Sequence, residues 1–299
     1  MNEKTQNTKI IYALGFFDGV HLGHQALLLA CRHLAQRSGC QPGVVTFSAH
    51  PDGLVSGSAP ALLNTCEDRS RLLMGYGIHN ILELPFDEDM KNTHWSSFLE
   101  QLVEAGAAGF VCGDDFRFGS GGLGTPQKLE AFCKKRGLPY AIVPQQEIDG
   151  ERVSSTHIRA LLEQGEMEQV NRLLGHPHVL SGEVVHGRGL GHTMGIPTAN
   201  VLLPEGVAIP KLGVYATWAV VEGKQYPAVT NIGSRPTVGG HQVRAESWLL
   251  DFNGDLYGKY ILLRFLKFLR PEKKFANLEE MRTEILENAA QTRKLLEKR

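Results

Sequence analysis

The stretch GFFDGVHLGH, Gly15 to His24, decides the fold of the first half of the chain. It follows the apolar run Ile10–Leu14, which predicts a buried strand, and it precedes Gln25–Arg32, which predicts a helix. A strand, a glycine-bearing turn and a helix start form an anion site, because backbone N–H groups and the helix dipole favour negative charge there. His21 and His24 lie three residues apart, on one helical face at that positive end. The pattern predicts a site for the phosphates of a nucleotide.

Two plainer interpretations of His21 and His24 stay open. The two side chains can form a capping or packed pair at the helix start, or a metal pair, for which no third ligand is obvious nearby. The neighbours Asp18 and Gly23 favour the phosphate interpretation, because Gly23 permits close approach of the backbone to a ligand. Imidazoles also donate hydrogen bonds to phosphate oxygens and stabilise charge that develops on them.

Length and composition bound the class of protein. A chain of 299 residues predicts two domains. The formal net charge of −1 gives no reason to expect a nucleic-acid partner. No apolar run approaches the roughly 20 residues that a membrane span needs, and the polar start MNEKTQNTK is not expected to be a signal peptide. The five cysteines lack any C-x-x-C pair, which predicts reduced thiols in a cytoplasmic protein: Cys31, Cys40, Cys66, Cys112 and Cys133.

The first half of the chain alternates strand-like and helix-like segments. Such alternation predicts a parallel sheet covered on both faces by helices, with ligands at the carboxyl ends of the strands. The predicted strands are Ile10–Leu14, Val44–Phe47, Asn80–Leu84, Gly109–Cys112 and Tyr140–Val143, and the predicted helices are Gln25–Gln36, Glu67–Gly75, His94–Glu104 and Pro126–Arg136.

The apolar pattern changes near residue 175. The segment Ser154–Leu174 predicts two short helices broken at Gly165, and the Gly-His-Pro that follows ends the helical pattern. Beyond it the period becomes two, and closely spaced strands with turn signals predict an antiparallel barrel or sandwich. We therefore expect domains at residues 1–175 and 180–299, the second ending in an amphipathic helix over Leu278–Glu297. Its predicted strands are Gly182–His186, Val214–Val221, Gln225–Asn231, Arg244–Phe252 and Tyr260–Phe265.

Three further motifs of the first half lie at predicted strand ends or helix starts. VTFSAHP places His50 after the second strand, although a loop histidine is usually only a solvated polar group. The run Gly119–Gly124 matches a dinucleotide fingerprint by letter but lacks the compact strand–turn–helix context, and the phenylalanines before it suit stacking on a flat ring. In VSSTHIRALL, Ser154, Ser155 or Thr156 can cap a helix, an interpretation that needs nothing else. With Arg159 about one turn on, the same residues form a triphosphate clamp.

Together, GFFDGVHLGH, TFSAHP, GDDFRFG and SSTHIR occur in the order and spacing of a known family. This half resembles the adenylyltransferase module of bacterial bifunctional riboflavin kinase/FAD synthetases, whose H-x-G-H element is shared with a wider nucleotidyltransferase superfamily. The resemblance implies a Rossmann-like domain that joins ATP and FMN into FAD and pyrophosphate. It implies catalytic roles on the ATP phosphates for His21, His24 and Arg159. The implied binding residues are Gly15, Phe16, Phe17, Asp18, His50, Ser155 and Thr156 for the nucleotide, and Asp115, Phe116 and Phe118 for the flavin.

The implied chemistry suits the residue types of this half. The attacking FMN phosphate is already ionised at neutral pH and requires no general base, so catalysis rests on alignment and on neutralisation of charge. The half accordingly offers His, Arg and helix N-termini, without a nucleophile–base pair. We expect Mg²⁺ on the triphosphate, although its protein ligands in this half are not obvious.

The glycine-rich stretch HGRGLGHTMGIPTANV, His186 to Val201, is the second dense cluster. Its glycines can cradle phosphate with backbone N–H groups, although such loops are also ordinary in barrels. Thr198 and Asn200 add hard oxygen ligands suited to Mg²⁺. No G-x-x-x-x-G-K-[ST] occurs, which disfavours a P-loop kinase. The four glycines are Gly187, Gly189, Gly191 and Gly195.

The segment AESWLLDF contains the one acid that stands out in the second half. Glu246 shares a predicted strand face with Trp248 and Leu250, whereas Asp251 is expected on the opposite face. An acid on such a face is either a solvated group at a barrel rim or a functional base.

GRGLGHTMGIPTAN, GVYA, NIGSRPTVGG, ESWLLDF, DLYG and FLRPEKKF match the riboflavin kinase module of the same family, again in order. The resemblance implies a small antiparallel β-barrel with a C-terminal helix. It implies that Thr198 and Asn200 bind the magnesium of ATP and that Glu246 takes the proton from the riboflavin 5′-hydroxyl. Arg293 is implied at the flavin, and the glycine loop at the nucleotide. Four positions depart from the usual Pro, Arg, Phe and Asp of the family: Ala49, His192, Ile196 and Asn288.

The resemblance covers nearly the whole chain and implies a cytoplasmic bifunctional enzyme. Riboflavin and ATP would give FMN, and FMN and ATP would then give FAD, with Mg²⁺ as cofactor and neither nucleic acid nor membrane as partner. Two alternatives are a protein with one active module and a flavin sensor that binds without turnover. The residues that argue against both are His21, His24, Arg159, Thr198, Asn200 and Glu246.

Overall fold

The chain divides into two compact units by its internal contacts. The computed structural model describes residues 9–187, 191, 195–237 and 240–297. No helix in these ranges is long and apolar enough to cross a membrane. The predicted domain boundary at 175–180 marks the change of apolar period, but contacts group the two preceding helices with the second unit. The first unit comprises residues 1–61 and 69–154, and the second comprises residues 62–68 and 155–299.

A five-stranded parallel sheet forms the centre of the first unit. Its strands are β1 (Ile10–Leu14), β2 (Gln41–Phe47), β3 (Asn80–Leu84), β4 (Ala107–Gly113) and β5 (Tyr140–Val143). Their order is β3-β2-β1-β4-β5, so the chain starts at the centre of the sheet and crosses over in both directions. The predicted parallel sheet is confirmed, and β2 and β4 extend beyond their apolar runs. A short hairpin follows, made of β6 (Glu147–Ile148) and β7 (Glu151–Arg152).

Helices cover both faces of this sheet. Alternate residues of β1 belong to two different apolar clusters: Ile11 and Ala13 pack on one face, and Tyr12 and Leu14 pack on the other. This alternation is the two-residue period of a strand that is buried on both sides. The helices of the unit are α1 (Leu22–Arg37), α2 (Asp52–Val55), α3 (Cys66–Gly75, of which residues 69–75 belong to this unit), α4 (Glu88–Asn92), α5 (Trp95–Glu104) and α6 (Pro126–Arg136).

The second unit contains a closed six-stranded barrel. Two helices precede it, α7 (Ser155–Gln164) and α8 (Met167–Leu174), and α9 (Leu278–Leu296) follows it. Closure selects the barrel over the sandwich that the sequence left open. The strands are β8 (His178–Val185), β9 (Ala199–Leu202), β10 (Gly213–Val221), β11 (Lys224–Thr237), β12 (Gly240–Leu249) and β13 (Tyr260–Arg270), in the order β10-β11-β12-β9-β8-β13.

One predicted strand of the barrel, Arg244–Phe252, extends too far at its end. The strand β12 ends at Leu249, and Asp251 adopts a left-handed backbone conformation with φ 64°. Leu250 still packs in the same apolar cluster as Trp248, whereas Asp251 lies beyond the strand, where the alternation of faces no longer applies. Glu246 and Trp248 remain on β12 and keep the shared face.

Candidate active sites

The turn between β1 and α1 holds an unusual backbone. Two residues other than glycine have positive φ there, Phe17 at 60° and Val20 at 41°. A left-handed conformation is unfavourable for a β-branched residue, and such outliers cluster at functional sites. Thr46 supports the turn by donating a hydrogen bond of 2.9 Å to the carbonyl oxygen of Phe16. Asp18 is buried within the turn. The turn thus fixes the start of α1 at the carboxyl end of the sheet.

His21 caps α1. Its Nδ1 accepts the backbone N–H of His24 at 3.3 Å, and its ring stacks on the ring of His24 with centroids 3.7 Å apart. Because Nδ1 is an acceptor, the neutral ring of His21 carries its proton on Nε2. The capping interpretation is therefore confirmed. A Cβ on Gly23 would lie 3.1 Å from the His21 ring, so glycine permits this packing.

His24 presents one nitrogen inward. Its Nδ1 is buried and has no hydrogen-bond partner among the described residues, although the residue as a whole is only partly buried. Burial, the neighbouring His21 and the charge of Arg69 hold the pKa of His24 well below the usual value for histidine. His24 is therefore neutral at physiological pH and acts as a hydrogen-bonding group.

An apolar cavity of about 450 Å³ lies in the same unit. Its volume suits a flat ring system, and the polar members of its lining include Lys91 and Arg117. Asp115 does not line it and instead pairs with Arg152, with both side chains 55% exposed. The predicted ring-stacking residues Phe116 and Phe118 do line it, together with Phe16, Phe47, Phe86 and Phe98.

His50 stands beside this cavity. Its ring meets the ring of Phe16 edge-on, with centroids 4.8 Å apart, and its Nδ1 accepts the backbone N–H of Asp52 at 3.2 Å. The structure thus brings His50 to the turn that carries Gly15 and Phe16, as its place at the end of a neighbouring strand predicts.

The predicted clamp residues lie at the start of α7. Ser155 and Thr156 are in its first turn, and Arg159 follows one turn later. By its contacts α7 belongs to the second unit.

A polar row crosses three strands of the barrel. Register pairs Asn200 of β9 with Glu246 of β12, and Glu246 with Asn231 of β11. Directly paired residues of antiparallel strands point to the same face with their Cβ atoms about 5 Å apart. The carboxylate therefore stands between two amides on the outer face of the barrel. The sequence alone does not identify Asn231 as a site residue, because only the strand register brings it opposite Glu246.

This polar row lines a cavity of about 260 Å³. Thr198 and Gly191 line the same cavity, and Arg270, Glu272 and Lys273 add charge to it. Its apolar wall includes Val214, Val229, Trp248, Phe275, Met281 and Ile285. A flat apolar group bound here would have two acids, Glu246 and Glu272, and several amide or hydroxyl groups within reach.

Two glycines shape the end of this cavity that holds Asn200. A Cβ on Gly187 would lie 2.2 Å from Asn200 Nδ2, and a Cβ on Gly191 would lie 2.2 Å from the Ile196 carbonyl oxygen. Asn200 is buried, and its Oδ1 has no hydrogen-bond partner among the described residues. A buried acceptor of this kind fits a hard cation such as Mg²⁺. Gly195 has φ 70°, and Gly189 and His192 lie outside the described residues.

Arg270 joins the barrel to α9 at the cavity rim. Its Nε donates to Asn288 Oδ1 at 3.1 Å and lies 3.1 Å from a carboxylate oxygen of Glu284. Lys273 contacts the same carboxylate, and its hydrogen bond lowers the pKa of Glu284. The buried Asn288, a departure from the family pattern, thus has a structural partner.

Arg293 does not line the cavity. Its two terminal nitrogens donate to the two carboxylate oxygens of Asp251 at 2.6 and 2.7 Å. This bidentate hydrogen bond raises the pKa of Arg293 and lowers the pKa of Asp251.

A second cavity of about 240 Å³ adjoins the first at Thr198, which lines both. Tyr257 lines the second cavity, and its ring stacks on His186 with centroids 3.9 Å apart. Thr198 is therefore placed to contact ligands in both cavities of the barrel unit.

Comparisons with known proteins match both halves. A family model described as FAD synthetase matches residues 3–157, and one described as riboflavin kinase matches residues 174–296. The bifunctional riboflavin kinase/FMN adenylyltransferase of Listeria monocytogenes serovar 1/2a is 33% identical over 98% of this chain and 94% of its own length. The protein of the same name from Pseudomonas fluorescens is 35% identical over 98% and 95%. A crystal structure described as a macrolide-efflux protein from Streptococcus pneumoniae shares the fold, with TM-score 0.87, 28% identity and coverage of 97% of this chain and 96% of that chain.

Proposed function

The chain belongs to the family of bifunctional riboflavin kinase/FMN adenylyltransferases, and we propose that its two units divide the two reactions between them. The enzyme phosphorylates riboflavin with ATP to give FMN and ADP, and it joins FMN to ATP to give FAD and pyrophosphate. We assign the kinase reaction to the barrel unit and the adenylyl transfer to the unit with the parallel sheet.

The polar row Asn200–Glu246–Asn231 is the observation that carries the kinase assignment. Glu246 accepts the proton of the riboflavin 5′-hydroxyl while that oxygen forms a bond to the γ-phosphorus of ATP. The bond from the γ-phosphorus to the bridging oxygen breaks, and ADP leaves with the electron pair. The apolar wall of the cavity holds the flavin ring. A hydroxyl nucleophile benefits from such a base, whereas a phosphate nucleophile does not.

ATP for the kinase reaction is assigned to the cavity that contains Tyr257. Because Thr198 lines both cavities, a nucleotide in one and riboflavin in the other meet at Thr198. Gly187 and Gly191 approach this point closely and leave room for phosphate oxygens.

Magnesium fits the oxygens of Thr198 and Asn200. The buried Oδ1 of Asn200 supports this ligand role, because it has no hydrogen-bond partner among the described residues. When bound with ATP, the ion neutralises phosphate charge. Asn200 and Thr198 orient the nucleotide, and Glu246 accepts the proton of the riboflavin 5′-hydroxyl.

Adenylyl transfer is assigned to the start of α1 and the aromatic cavity. The FMN ring binds between Phe116 and the other phenylalanines, and its phosphate oxygen attacks the α-phosphorus of ATP, with pyrophosphate leaving. His21 donates from Nε2 to the phosphates, and the helix N-terminus adds positive potential. His24 packs against His21 and fixes its ring.

The remaining predicted residues keep proposed roles at this nucleotide. Backbone groups from Gly15 to Asp18, with His50, contact ATP, and the phosphate-binding role that the resemblance implies for Ser155, Thr156 and Arg159 stays a prediction. Asp115 and Arg293 stand in ion pairs outside the cavities, so a flavin contact for either needs that pair to break on binding.

Two substitutions test the assignment of one reaction to each unit. Glu246→Gln removes the base and is expected to abolish FMN formation from riboflavin while FAD formation from supplied FMN continues. His24→Ala is expected to do the reverse. Chromatography of the flavin products measures both, and loss of both activities in either folded variant would refute the division.

Two rival functions predict other products. A protein with one active module yields FMN without FAD, or FAD only from supplied FMN. A flavin sensor yields neither from riboflavin, ATP and Mg²⁺. We also propose a cytoplasmic location, supported by the free thiols of all five cysteines.

A further inference from the structure

Arg69 is a buried cation that the proposed reactions leave without a role. It lies on α3, and only 1% of its side chain is exposed. Its Nη2 donates to the carbonyl oxygen of Phe47 at 2.7 Å, at the end of β2, and to Glu83 Oε2 at 3.3 Å. Its Cζ lies 4.6 Å from the centroid of the Phe16 ring. One guanidinium therefore touches a strand end and an aromatic wall of the cavity.

Burying a charged group is unfavourable unless hydrogen bonds and an opposite charge compensate it. The carbonyl of Phe47 and the carboxylate of Glu83 supply that compensation, and Phe16 supplies the face of an aromatic ring. Both Phe16 and Phe47 line the aromatic cavity. Through these contacts the buried guanidinium of Arg69 fixes the positions of Phe16 and Phe47 relative to each other at the wall of one cavity.

We infer that Arg69 is a positioning residue for FMN: its guanidinium fixes the Phe16 ring against the end of β2 and so sets the width of the aromatic cavity. This inference rests on the proposed assignment of FMN to that cavity. Arginine suits the position, because its planar group stacks on a ring and donates sideways at the same time. Lysine keeps the charge but presents a compact ammonium group that does not stack in this way.

Arg69→Lys is therefore expected to raise KM for FMN about tenfold in the adenylyltransferase assay while kcat stays within about twofold. A merely structural role would lower the amount of active enzyme, and with it the apparent kcat, without moving KM. Riboflavin kinase activity of the same sample provides an internal reference.

Arg136→Lys is the matched control. Arg136 also pairs with a carboxylate, Glu100 at 3.0 Å, and its Cζ also lies over a ring, Phe132 at 5.0 Å, but this ring, unlike Phe16, lines no part of the aromatic cavity. KM for FMN should not change in this variant.

Thiol titration checks that the unit stays folded. Cys31, Cys112 and Cys133 are buried in this unit, and burial raises the pKa of Cys112 and Cys133 to about 12. These three thiols must remain unreactive in Arg69→Lys, as in the unsubstituted protein.

A double-mutant cycle with Phe16→Leu tests whether Arg69 acts through the ring. Phe16→Leu alone should raise KM for FMN by a similar factor, and the double variant should show no further rise. If Arg69→Lys does not fold, Glu83→Gln, which removes the carboxylate partner of Arg69, takes its place in the cycle. An unchanged KM in Arg69→Lys, or fully additive effects in the cycle, would overturn the inference.

Phe116→Ala separates failure of the inference from failure of the FMN assignment. If Phe116→Ala raises KM for FMN and Arg69→Lys does not, Arg69 has no positioning role. If neither variant changes KM, FMN does not occupy this cavity and both statements are wrong.

Discussion

His21 and His24 contribute differently although they stack on each other. His21 uses Nδ1 to cap α1, which fixes its proton on Nε2. The Nδ1 atom of His24 faces the protein interior. Burial is the largest cause of the lowered pKa of His24. In the proposed reaction, hydrogen-bond donors and the helix start meet the phosphate charge, because His24 is neutral. Such preorganised donors need no rearrangement as charge moves to the leaving pyrophosphate.

His178 is expected to make the enzyme acid-sensitive. Burial and the nearby His176 lower its pKa from 6.5 to about 3, so the folded protein keeps it neutral where the unfolded chain protonates it. The free energy of unfolding is therefore highest above pH 6.5, the pKa of His178 in the unfolded chain. It falls as the pH drops from about 6.5 towards 3, and the loss is about 2 kcal/mol at pH 5. His178→Phe, which places a ring against Phe265, should remove most of this loss.

Urea unfolding near pH 7.5 and pH 5 measures the effect. The exposed His33 on α1 gives the control His33→Gln, which should leave the pH dependence as it is. Equal loss of stability in His178→Phe and the unsubstituted protein would contradict the account.

Gly187 is expected to control magnesium affinity in the kinase reaction. An added Cβ would lie 2.2 Å from Asn200 Nδ2 and 2.7 Å from Oδ1, which forces the proposed ligand to move. Gly187→Ala should raise the Mg²⁺ concentration for half-maximal kinase activity about tenfold or more, because displaced ligand orientation weakens metal binding by that order. Gly75→Ala, where a Cβ meets nothing within 4 Å, is the control. An unchanged Mg²⁺ dependence would remove Asn200 from the metal site.

At the scale of elements, the aromatic cavity and the cavity of about 260 Å³ each take part of their wall from a helix whose start is capped. Asn277 accepts the N–H of Glu280 at 2.9 Å at the start of α9, and Asp87 accepts the N–H of Met90 at 2.9 Å at the start of α4. Met281, Ile285 and Asn288 of α9 line the kinase cavity, and Met90, Lys91 and Asn92 of α4 line the aromatic cavity.

The two caps form a reciprocal test. Loss of a cap costs about 1 kcal/mol, roughly a fivefold change in an equilibrium constant. Asn277→Ala should raise KM for riboflavin a few-fold and leave KM for FMN in adenylylation unchanged. Asp87→Ala should do the opposite. Steady-state kinetics of both reactions measures the two KM values. A change in KM for riboflavin and in KM for FMN in the same variant would argue against separate cavities.

At the scale of the whole molecule, the barrel unit includes a segment from the first half of the sequence. Residues 62–68 belong to it by their contacts. Ser181 of β8 donates to both carboxylate oxygens of the buried Asp68, at 2.9 and 2.7 Å, and Asn64 donates to the Val179 carbonyl at 3.2 Å. The unit that contains the barrel is therefore built from two separate stretches of chain, residues 62–68 and 155–299.

Ser181→Ala is expected to destabilise the barrel unit by about 1–3 kcal/mol, because the buried carboxylate of Asp68 loses both hydrogen bonds. Thermal unfolding followed by loss of kinase activity measures this. Thr283→Ala, which removes one exposed hydroxyl bond on α9, should cost less than about 0.5 kcal/mol. A melting temperature equal to that of the unsubstituted protein would show that residues 62–68 do not support the barrel.

Sequence patterns predict the parallel sheet and most helices, because alternation and periodicity are local properties. The barrel closure, the partner of Glu246 and the place of Asp251 depend on strand register and on one left-handed residue, which no local pattern carries. Arg69 was missed for a similar reason. In sequence a helical arginine predicts a solvated face, and only tertiary packing places it under Phe16.

Complementation between two variants tests the division of labour most directly. Glu246→Gln and His24→Ala are each supplied with riboflavin, ATP and Mg²⁺, separately and mixed, and flavins are separated by chromatography. We predict neither FMN nor FAD from Glu246→Gln, FMN without FAD from His24→Ala, and FAD from the mixture. FAD from either variant alone, or no FMN from folded His24→Ala, would contradict the assignment of one reaction to each unit.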